Sequence, residues 1–543
     1  MKKYRGLANQ KTILYILIVL LSFTVFYIIH GISILNPLYV DWLLNRGDAT
    51  QNYIGAEAYR QSAWLFPIGR LNTLRYPATS SIIFTDSIPV MAVLYKIIGP
   101  ILPEQFQYVG IWTLICYILQ GLLAAKLLSR YEKQPAIIFL GTFFFLISPV
   151  MIYRFDRHWS LGGQWIILLT AMIPVYYEPK YKNLKKLIPL TAAIGFLTPA
   201  IHTYFCIECG LIIFSFCIYD FVKTRKIYRP IITLMVFIGS AAFSVFILGG
   251  FGENEIKAGG LGYYSFNLNG FINSFNNSSL LPELAHGEGQ YEGFSYLGLG
   301  MLALVAVSIC GLGIKRIRER IKCNRSAWIV ILIFALISII ISASDKITMG
   351  NTEIVHLPLP QALIDVWALF RSTGRLIWPL YYGIMFAAII GLTKIIRSKT
   401  WCIILLVICL AVQCFDLYPL YSGGYIEGGK VYKSPLKQAK WEQLVEDNGI
   451  KHIVLIGEDN KFKKQYAFGI FAIRHKLTMN RFRMSHGQYP YMQEVYDSIL
   501  SDEKDNLYVF IHEDDANEFL ESDLDFSVID GYIVGIKTEN DEM

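Results

Sequence analysis

The sequence predicts an all-α polytopic membrane bundle of about eleven transmembrane helices, closed by a small C-terminal extracytoplasmic α/β domain. Three observations carry that expectation. The chain is 54% hydrophobic and 17% charged, with a mean hydropathy of +0.42, whereas a soluble domain carries about 25% charged residues. It contains a series of apolar runs of membrane-crossing length. The connections between those runs alternate between Lys/Arg-rich and Lys/Arg-poor, and almost all of the unusual ionisable residues fall in the poor set.

Crossing the hydrocarbon takes about 20 apolar residues, and there the backbone must satisfy its own hydrogen bonds, so helices are the expected element. The runs cover 12–30, 105–128, 136–153, 163–178, 187–201, 203–221, 231–250, 296–314, 327–343, 376–394 and 400–417. Cations gather before the first run (Lys2, Lys3, Arg5, Lys11) and in every second connection after it. Those connections hold Arg130 and Lys133; Lys180, Lys182, Lys185 and Lys186; Lys223, Arg225, Lys226 and Arg229; Lys315 to Arg325; and Arg397 with Lys399. By the positive-inside rule that side is cytoplasmic, with the amino terminus inside and the C-terminal domain outside. The chain therefore reads as a multi-pass protein of the plasma membrane. The first run lacks a small-residue cleavage site and reads as a retained anchor. The inner loops account for the net charge of +7, and no pattern points to nucleic acid.

Residues 86–103, DSIPVMAVLYKIIGPILP, are apolar but short, and they carry Lys96 between Pro89 and Pro100. Were they to cross, every later basic loop would move outside. They are expected to lie along the outer interface as an amphipathic or re-entrant helix. The nine cysteines lie in or beside the runs, so no disulfide framework is indicated, and Cys206 and Cys209 read as two small apolar residues of a helix.

Four outer segments are long enough to fold: 31–104, 251–295, 344–375 and 418–543. The first belongs with the membrane domain, 1–417, and holds a helix at about 49–63. The segment 251–295 is rich in Gly, Asn and aromatics, has a single lysine, Lys257, and reads as irregular. The last is the separate domain, with a helix near 435–448, strands at 452–457 and 506–512, a short helix near 515–521, and a hairpin turning at Asp530 and Gly531. It has no Gly-rich phosphate loop and no strong metal spacing, which favours recognition or support over catalysis.

Several ionisable residues stand at the outer boundary. Asp48, in RGDATQ, pairs with Gln51 as a capping box at a helix start, and an acid so fixed is also placed to act as a base. Asp156, Arg157 and His158, with Arg154, crowd the short turn YRFDRHWSLG. They either snorkel to water and head groups or hold a metal or phosphate, with His158 as a proton carrier. Asp86, in FTDSIP, reads first as a cap on the interfacial helix and second as another carboxylate candidate. His202, in IHTYF, reads as a structural group at a turn, with a site role as the alternative. Arg371 and Arg375, in FRSTGRLIWP, stand four apart and would face one way if helical, forming a fork for phosphate or for lipid head groups in general.

The motifs GDATQ, WLFPIG, FTDSIP, RFDRHWSLG, IHTYF and FRSTGRLIWP, set in a basic-inside bundle with a C-terminal outer domain, resemble the GT-C superfamily of integral-membrane glycosyltransferases. They also resemble a family of bacterial multispan proteins usually placed near GT-C enzymes, whose activity has no assignment. The resemblance implies a polyprenyl-phosphate sugar as donor, bound from the membrane, a glycan or glycolipid acceptor of the cell envelope, and transfer on the outer face. It implies that Asp48 is the first-loop acid acting as base or metal ligand, and that Asp156 holds the place of the second-loop acid. Arg371 and Arg375 match, more loosely, the arginine that holds the lipid phosphate, and Arg157 joins them. The paired acidic motif of the oligosaccharyltransferases is absent, since Arg157 and His158 follow Asp156, which puts a divalent metal cofactor in doubt. Inversion at the sugar is expected from an acceptor hydroxyl, deprotonated by Asp48, attacking opposite the leaving phosphate.

A transporter or flippase for a lipid-linked or polar substrate is the main rival. Such proteins place ionisable residues or broken helices near the midplane and often show internal repeats. Here no repeat is evident and the ionisable groups crowd one rim, which favours an enzyme. A third reading is a membrane-anchored binding protein whose tail does the work.

Overall fold

The computed structural model describes the chain except residues 1, 45, 178–183, 252–260, 427, 458, 460–461, 485–503 and 538–543. Lys180, Lys182 and Lys257 lie outside the described residues. The chain packs into two compact units, each discontinuous in sequence. One comprises 1–36, 109–244 and 257–427; the other comprises 37–108, 245–256 and 428–543.

The first unit is the helical bundle. Each of the eleven expected runs carries a helix, but among the described residues nine are long and apolar enough to cross a membrane, or ten if one bent pair counts as a span. Within the helix Leu299–Cys323, the described apolar part is Leu299–Gly311. The protein is thus an integral membrane protein by these helices. The bent pair is Pro135–Leu146 and Pro149–Phe155, turned by 41°. Pro149 has no N–H to give and disfavours a helical residue before it; Ser148 accordingly lies at ψ 117°.

Small residues let these helices touch. A Cβ on Gly300 would stand 2.0 Å from the Cys409 carbonyl oxygen, so the helices Leu299–Cys323 and Lys399–Asp416 meet backbone to backbone there. At the end of the second helix, buried Asp416 accepts from the Leu299 N–H at 2.8 Å and from the Tyr296 hydroxyl at 2.7 Å. An orphan amide at a helix start is satisfied by that carboxylate, which also suits the dipole. Among the described residues, the basic connections around 130 and 397 meet at one end of the unit, where Lys399 Nζ lies 2.6 Å from Glu132, and in a third connection buried Arg229 grips Asp220 at 2.8 and 3.2 Å.

At the opposite end the segment 261–297 is irregular, as expected, and asparagines replace secondary structure. Asn267 donates to Gln290 at 2.7 Å and to the Gly350 carbonyl at 2.8 Å. Asn273 accepts from Leu284 N–H at 2.9 Å and donates to the same residue's carbonyl at 3.0 Å. These side chains do for a loop what a ladder does for a sheet. The same end carries a hairpin, Lys346–Met349 with Thr352–His356, and a helix, Gln361–Ala368, that the composition did not announce.

The second unit is built on a five-stranded mixed sheet with spatial order Thr478–Met479, His452–Ile456, Asn506–Phe510, Tyr532–Lys537 and Leu524–Ile529. The first three run parallel and the hairpin pairs antiparallel. Asp530 and Gly531 both take positive φ at its turn, 52° and 81°, as a two-residue hairpin with right-handed twist requires. The expected helices appear at Gln438–Asp447 and Glu513–Asn517. An unanticipated helix, Lys463–His475, buries Phe468 and Phe471 against the sheet with Trp441.

In space, the segment 37–108 groups with the C-terminal segment. Backbone bonds join them: Met479 N–H donates to Thr73 O at 2.7 Å, and Tyr76 N–H to Met479 O at 2.8 Å. The Tyr76 ring lies 3.6 Å above His452 at an interplanar angle of 8°, and Gln61 Nε2 donates to Ile473 O at 2.7 Å. Within 86–103 the helix is Pro89–Ile98, about 15 Å long at 1.5 Å per residue and too short to cross.

Candidate functional site

In the bundle unit, the end opposite the basic loops holds a buried charge cluster built from three elements. The kink at Pro149 delivers Arg154 on the last turn of Pro149–Phe155. The irregular segment delivers Glu292 on the short 3-10 turn Glu288–Gly293. Another 3-10 turn, Thr373–Ile377, delivers Arg375. Arg154 is 0% exposed, Arg375 6% and Glu292 7%. Arg154 donates to Glu292 Oε2 at 2.7 Å and to its carbonyl at 2.6 Å, while Arg375 reaches the same Oε2 through Nε at 3.1 Å and Nη2 at 2.9 Å. Burial pushes the Glu292 carboxyl up, but Arg375 and Arg154 outweigh it and hold it well below the ordinary carboxylate range.

Two glycines make this meeting feasible. A Cβ on Gly374 would stand 2.6 Å from the Cα of Gly293, so the two turns lie in direct contact. Aromatic faces complete the walls: Arg375 lies 4.9 Å over Tyr204, and Arg154 lies 5.4 Å over Trp378. Tyr204 also accepts from the Ser372 N–H at 2.7 Å. Glu208, one turn further along the same helix as Tyr204, is fully buried and interacts electrostatically with Arg375 and Arg154. Neither of its carboxylate oxygens has a hydrogen-bond partner.

Two exposed guanidiniums flank the buried cluster. Arg157 lies 4.7 Å over Tyr153 and 5.6 Å over Tyr291, the neighbour of Glu292. Arg371 lies 4.6 Å over Tyr264 and donates to its hydroxyl at 2.7 Å. Asp156 is exposed at the end of the helix that carries Arg154, and His158 acts electrostatically on Glu292. His202 Nδ1 accepts from Tyr204 N–H at 3.3 Å, and its ring packs 5.3 Å from Tyr204. Arg375 and His158 therefore act on Glu292 directly, while Arg157, Arg371 and His202 reach Tyr291, Tyr264 and Tyr204.

The expected fork of Arg371 and Arg375 is not what forms. Residues 371–375 are not α-helical, so the four-residue spacing does not align the side chains: Arg375 goes to Glu292 and Arg371 to Tyr264. The arrangement is an inner pair of guanidiniums bound to one carboxylate and an outer, accessible pair. Exposed Arg157 and Arg371 can accept an anion such as a phosphate, whereas the inner pair fixes the backbone around them.

Asp48 and Asp86 lie in the other unit, around the first turns of the helix Asp48–Gln61. Gly47 holds the cap position with no side-chain cap bond, so the expected Asp48 capping box is not made. Asp48 instead pairs with Arg483 at 3.2 Å. Asp86 sits at positive φ, and its carbonyl accepts from buried Asn52 at 2.5 Å. It does not cap the next helix, whose cap position is Ile88. Among the described residues, no group of three His, Cys, Asp or Glu side chains is placed to hold a metal ion.

In the sequence Arg154 is singled out only as a neighbour of Asp156, and neither Glu208 nor Glu292 is singled out. Glu208 stands alone in the apolar run YFCIECGLII, and Glu292 in a loop with several other acids. The one available signal was a carboxylate inside a span, which rarely lies there without a role.

A family model described as Domain of unknown function (DUF6311) matches residues 19–418, and one described as DUF6311 C-terminal domain matches residues 440–537. No curated protein matches the sequence. Among solved structures, the chain is similar to the archaeal oligosaccharyltransferase AglB from Archaeoglobus fulgidus in complex with an inhibitory peptide and a dolichol-phosphate. The identity is 11%, over 92% of this chain and 69% of that one, with a TM-score of 0.47. It is also similar to an A. fulgidus oligosaccharyltransferase tethered by a disulfide bond to an acceptor peptide containing the NVT sequon, at 12% identity over 86% of this chain and 64% of that one, with a TM-score of 0.44.

Proposed function

The chain belongs to the DUF6311 family, and we propose that it is a membrane glycosyltransferase moving a sugar from a polyprenyl-phosphate donor to a cell-envelope glycan or lipid acceptor. The observation that carries this reading is the pair of accessible guanidiniums, Arg157 and Arg371, beside the locked Arg154, Glu292 and Arg375 cluster at the end of a helical bundle. A preorganised cationic rim at a bilayer edge suits a leaving group that is a phosphate on a lipid. The bundle also holds an apolar cavity of about 400 Å³, lined by Phe145, Ile167, Phe216, Phe334 and Phe386, which can receive an isoprenoid chain.

The acceptor hydroxyl oxygen bonds to the anomeric carbon as the bond from that carbon to the phosphate oxygen breaks. The hydroxyl proton passes to Asp48, the first-loop acid by resemblance, and the electron pair leaves with the polyprenyl phosphate. Arg371 and Arg157 stabilise the charge gathering on that phosphate, and Asp156 holds the place of the second-loop acid by resemblance. Attack opposite the leaving group inverts the anomeric centre. With the basic loops cytoplasmic, transfer takes place outside the cell, where nucleotide sugars are absent and a lipid must present the activated sugar.

The test is turnover by the purified full chain of a panel of labelled polyprenyl-phosphate sugars. Product from at least one donor, lost in Asp48→Asn, is the expected result. Turnover of none removes the reading, and full activity of Asp48→Asn removes the base.

A further inference from the structure

The second unit contains a buried cation to which no carboxylate is paired among the described residues. Lys96, on the helix Pro89–Ile98, is 5% exposed, and its Nζ donates to Ser62 Oγ at 2.8 Å and to Ala63 O at 3.0 Å. The Ser62 hydroxyl proton goes to Tyr59 O at 2.9 Å, which leaves its oxygen turned to the ammonium. The rings of Tyr59 and Trp64 lie 4.3 and 4.7 Å from Nζ. Among the described residues no carboxylate pairs with Lys96, and its burial pulls the ammonium down to about 8. A desolvated charge is normally paired.

Lys96 lines an open cavity of about 410 Å³ together with Arg60, Trp64, Glu104 and Lys476. Arg60 is held by Glu57 at 2.8 Å, and burial pushes the Glu57 carboxyl up to about 7. Lys476 meets Glu104 at 3.5 Å with both side chains about 70% exposed, a weak pairing. Three cations thus face two carboxylates, one of them half-protonated near neutral pH. The surface around this bowl is apolar: Ile97 is 57% exposed, Ile101 84%, Trp64 55% and Phe66 73%. Water-facing surfaces rarely gather such side chains beside a buried cation, whereas an interfacial helix does.

We propose that Lys96, Lys476 and Trp64 form a site for the phosphate head of an anionic membrane phospholipid, whose acyl chains lie along Ile97 and Ile101. The charge selects the head and the exposed isoleucines select the chains. A phosphodiester supplies the negative charge that Ser62 and Ala63 do not give Lys96, and indole and tyrosine rings suit the interface where head and tail meet. Such a site seats this unit on the bilayer independently of any transfer chemistry.

The test uses full-length protein in a neutral detergent, titrated with dihexanoyl phosphatidylglycerol and dihexanoyl phosphatidylcholine and read by native mass spectrometry. The glycerol lipid is expected to bind at least fivefold tighter than the choline lipid. Lys476→Gln, an exposed change that leaves the fold intact, and Lys96→Gln are each expected to weaken it about fivefold. Ile101→Ser is expected to weaken the lipid but not inorganic phosphate. Equal binding of the two lipids, or unchanged binding in Lys476→Gln, overturns the site; inorganic phosphate binding as tightly as the lipid overturns the lipid as its occupant.

Discussion

Arg375 meets Glu292 on the very oxygen that Arg154 holds, with donor distances of 2.9 and 3.1 Å from one arginine and 2.7 Å from the other. One buried carboxylate oxygen therefore organises two guanidiniums that come from distant parts of the chain. Neither arginine alone would be stable so far from water, and the acid makes each tolerable to the other.

Replacing Glu292 by Gln keeps the shape but removes the charge that both arginines need. A loss of about 3–5 kcal/mol is expected, the cost of leaving buried charges uncompensated. Thermal unfolding of the purified protein measures it, and the further change Arg154→Met should restore part of the loss. A Glu292→Gln protein as stable as wild type would mean that the cluster is not load-sharing in the way its geometry indicates.

Gly374→Ala addresses the same cluster through the backbone. The added methyl would fall 2.6 Å from Gly293 Cα, below any normal carbon contact, and neither neighbour is a flexible side-chain tip. The turns must separate, which costs about 1–3 kcal/mol and withdraws Arg375 from Glu292. An Ala variant with unchanged melting and unchanged donor turnover would contradict that coupling.

The bundle was legible because hydrocarbon imposes length and apolarity on each crossing, and the sheet domain because its hairpin and strands carry strong local signals. The charge cluster was not. Arg375 was singled out by its spacing from Arg371, but spacing assumes a helix, and residues 371–375 form a bend and a 3-10 turn. Asp48 and Asp86 read as caps, yet Gly47 and Ile88 occupy those cap positions. Glu292 became visible only when asparagine side chains folded the segment 261–297 in space, a long-range result that no local pattern encodes. The pairing of 73–76 with Met479 is of the same kind.

Arg371 and Arg375 should separate in kinetics. Arg371 is exposed and, among the described residues, bonded to Tyr264, so Arg371→Ala is expected to raise KM for a lipid-linked donor about tenfold or more, as one charge-assisted bond is worth roughly 1.5–3 kcal/mol. It should leave the melting temperature near wild type. Arg375→Ala is expected to lower stability before any kinetic effect can be read. The reverse pattern, with Arg371→Ala unstable and Arg375→Ala a pure KM variant, would exchange their roles.

Glu57 gives the second unit a pH dependence of definite sign. Burial pushes its carboxyl up to about 7, from 4.5 in the unfolded chain, despite the bonds from Arg60 and Tyr95. Below pH 4.5 both states hold the proton and the group costs nothing. As pH rises from 4.5 to 7 the unfolded chain loses its proton first, so stability falls, and above 7 the whole cost of about 3 kcal/mol is present. Glu57→Gln keeps an acceptor for Tyr95 without a charge. Between pH 5 and 8 wild type should lose several degrees in apparent melting temperature that Glu57→Gln keeps, and parallel slopes for the two proteins would rule out Glu57 as the titrating group.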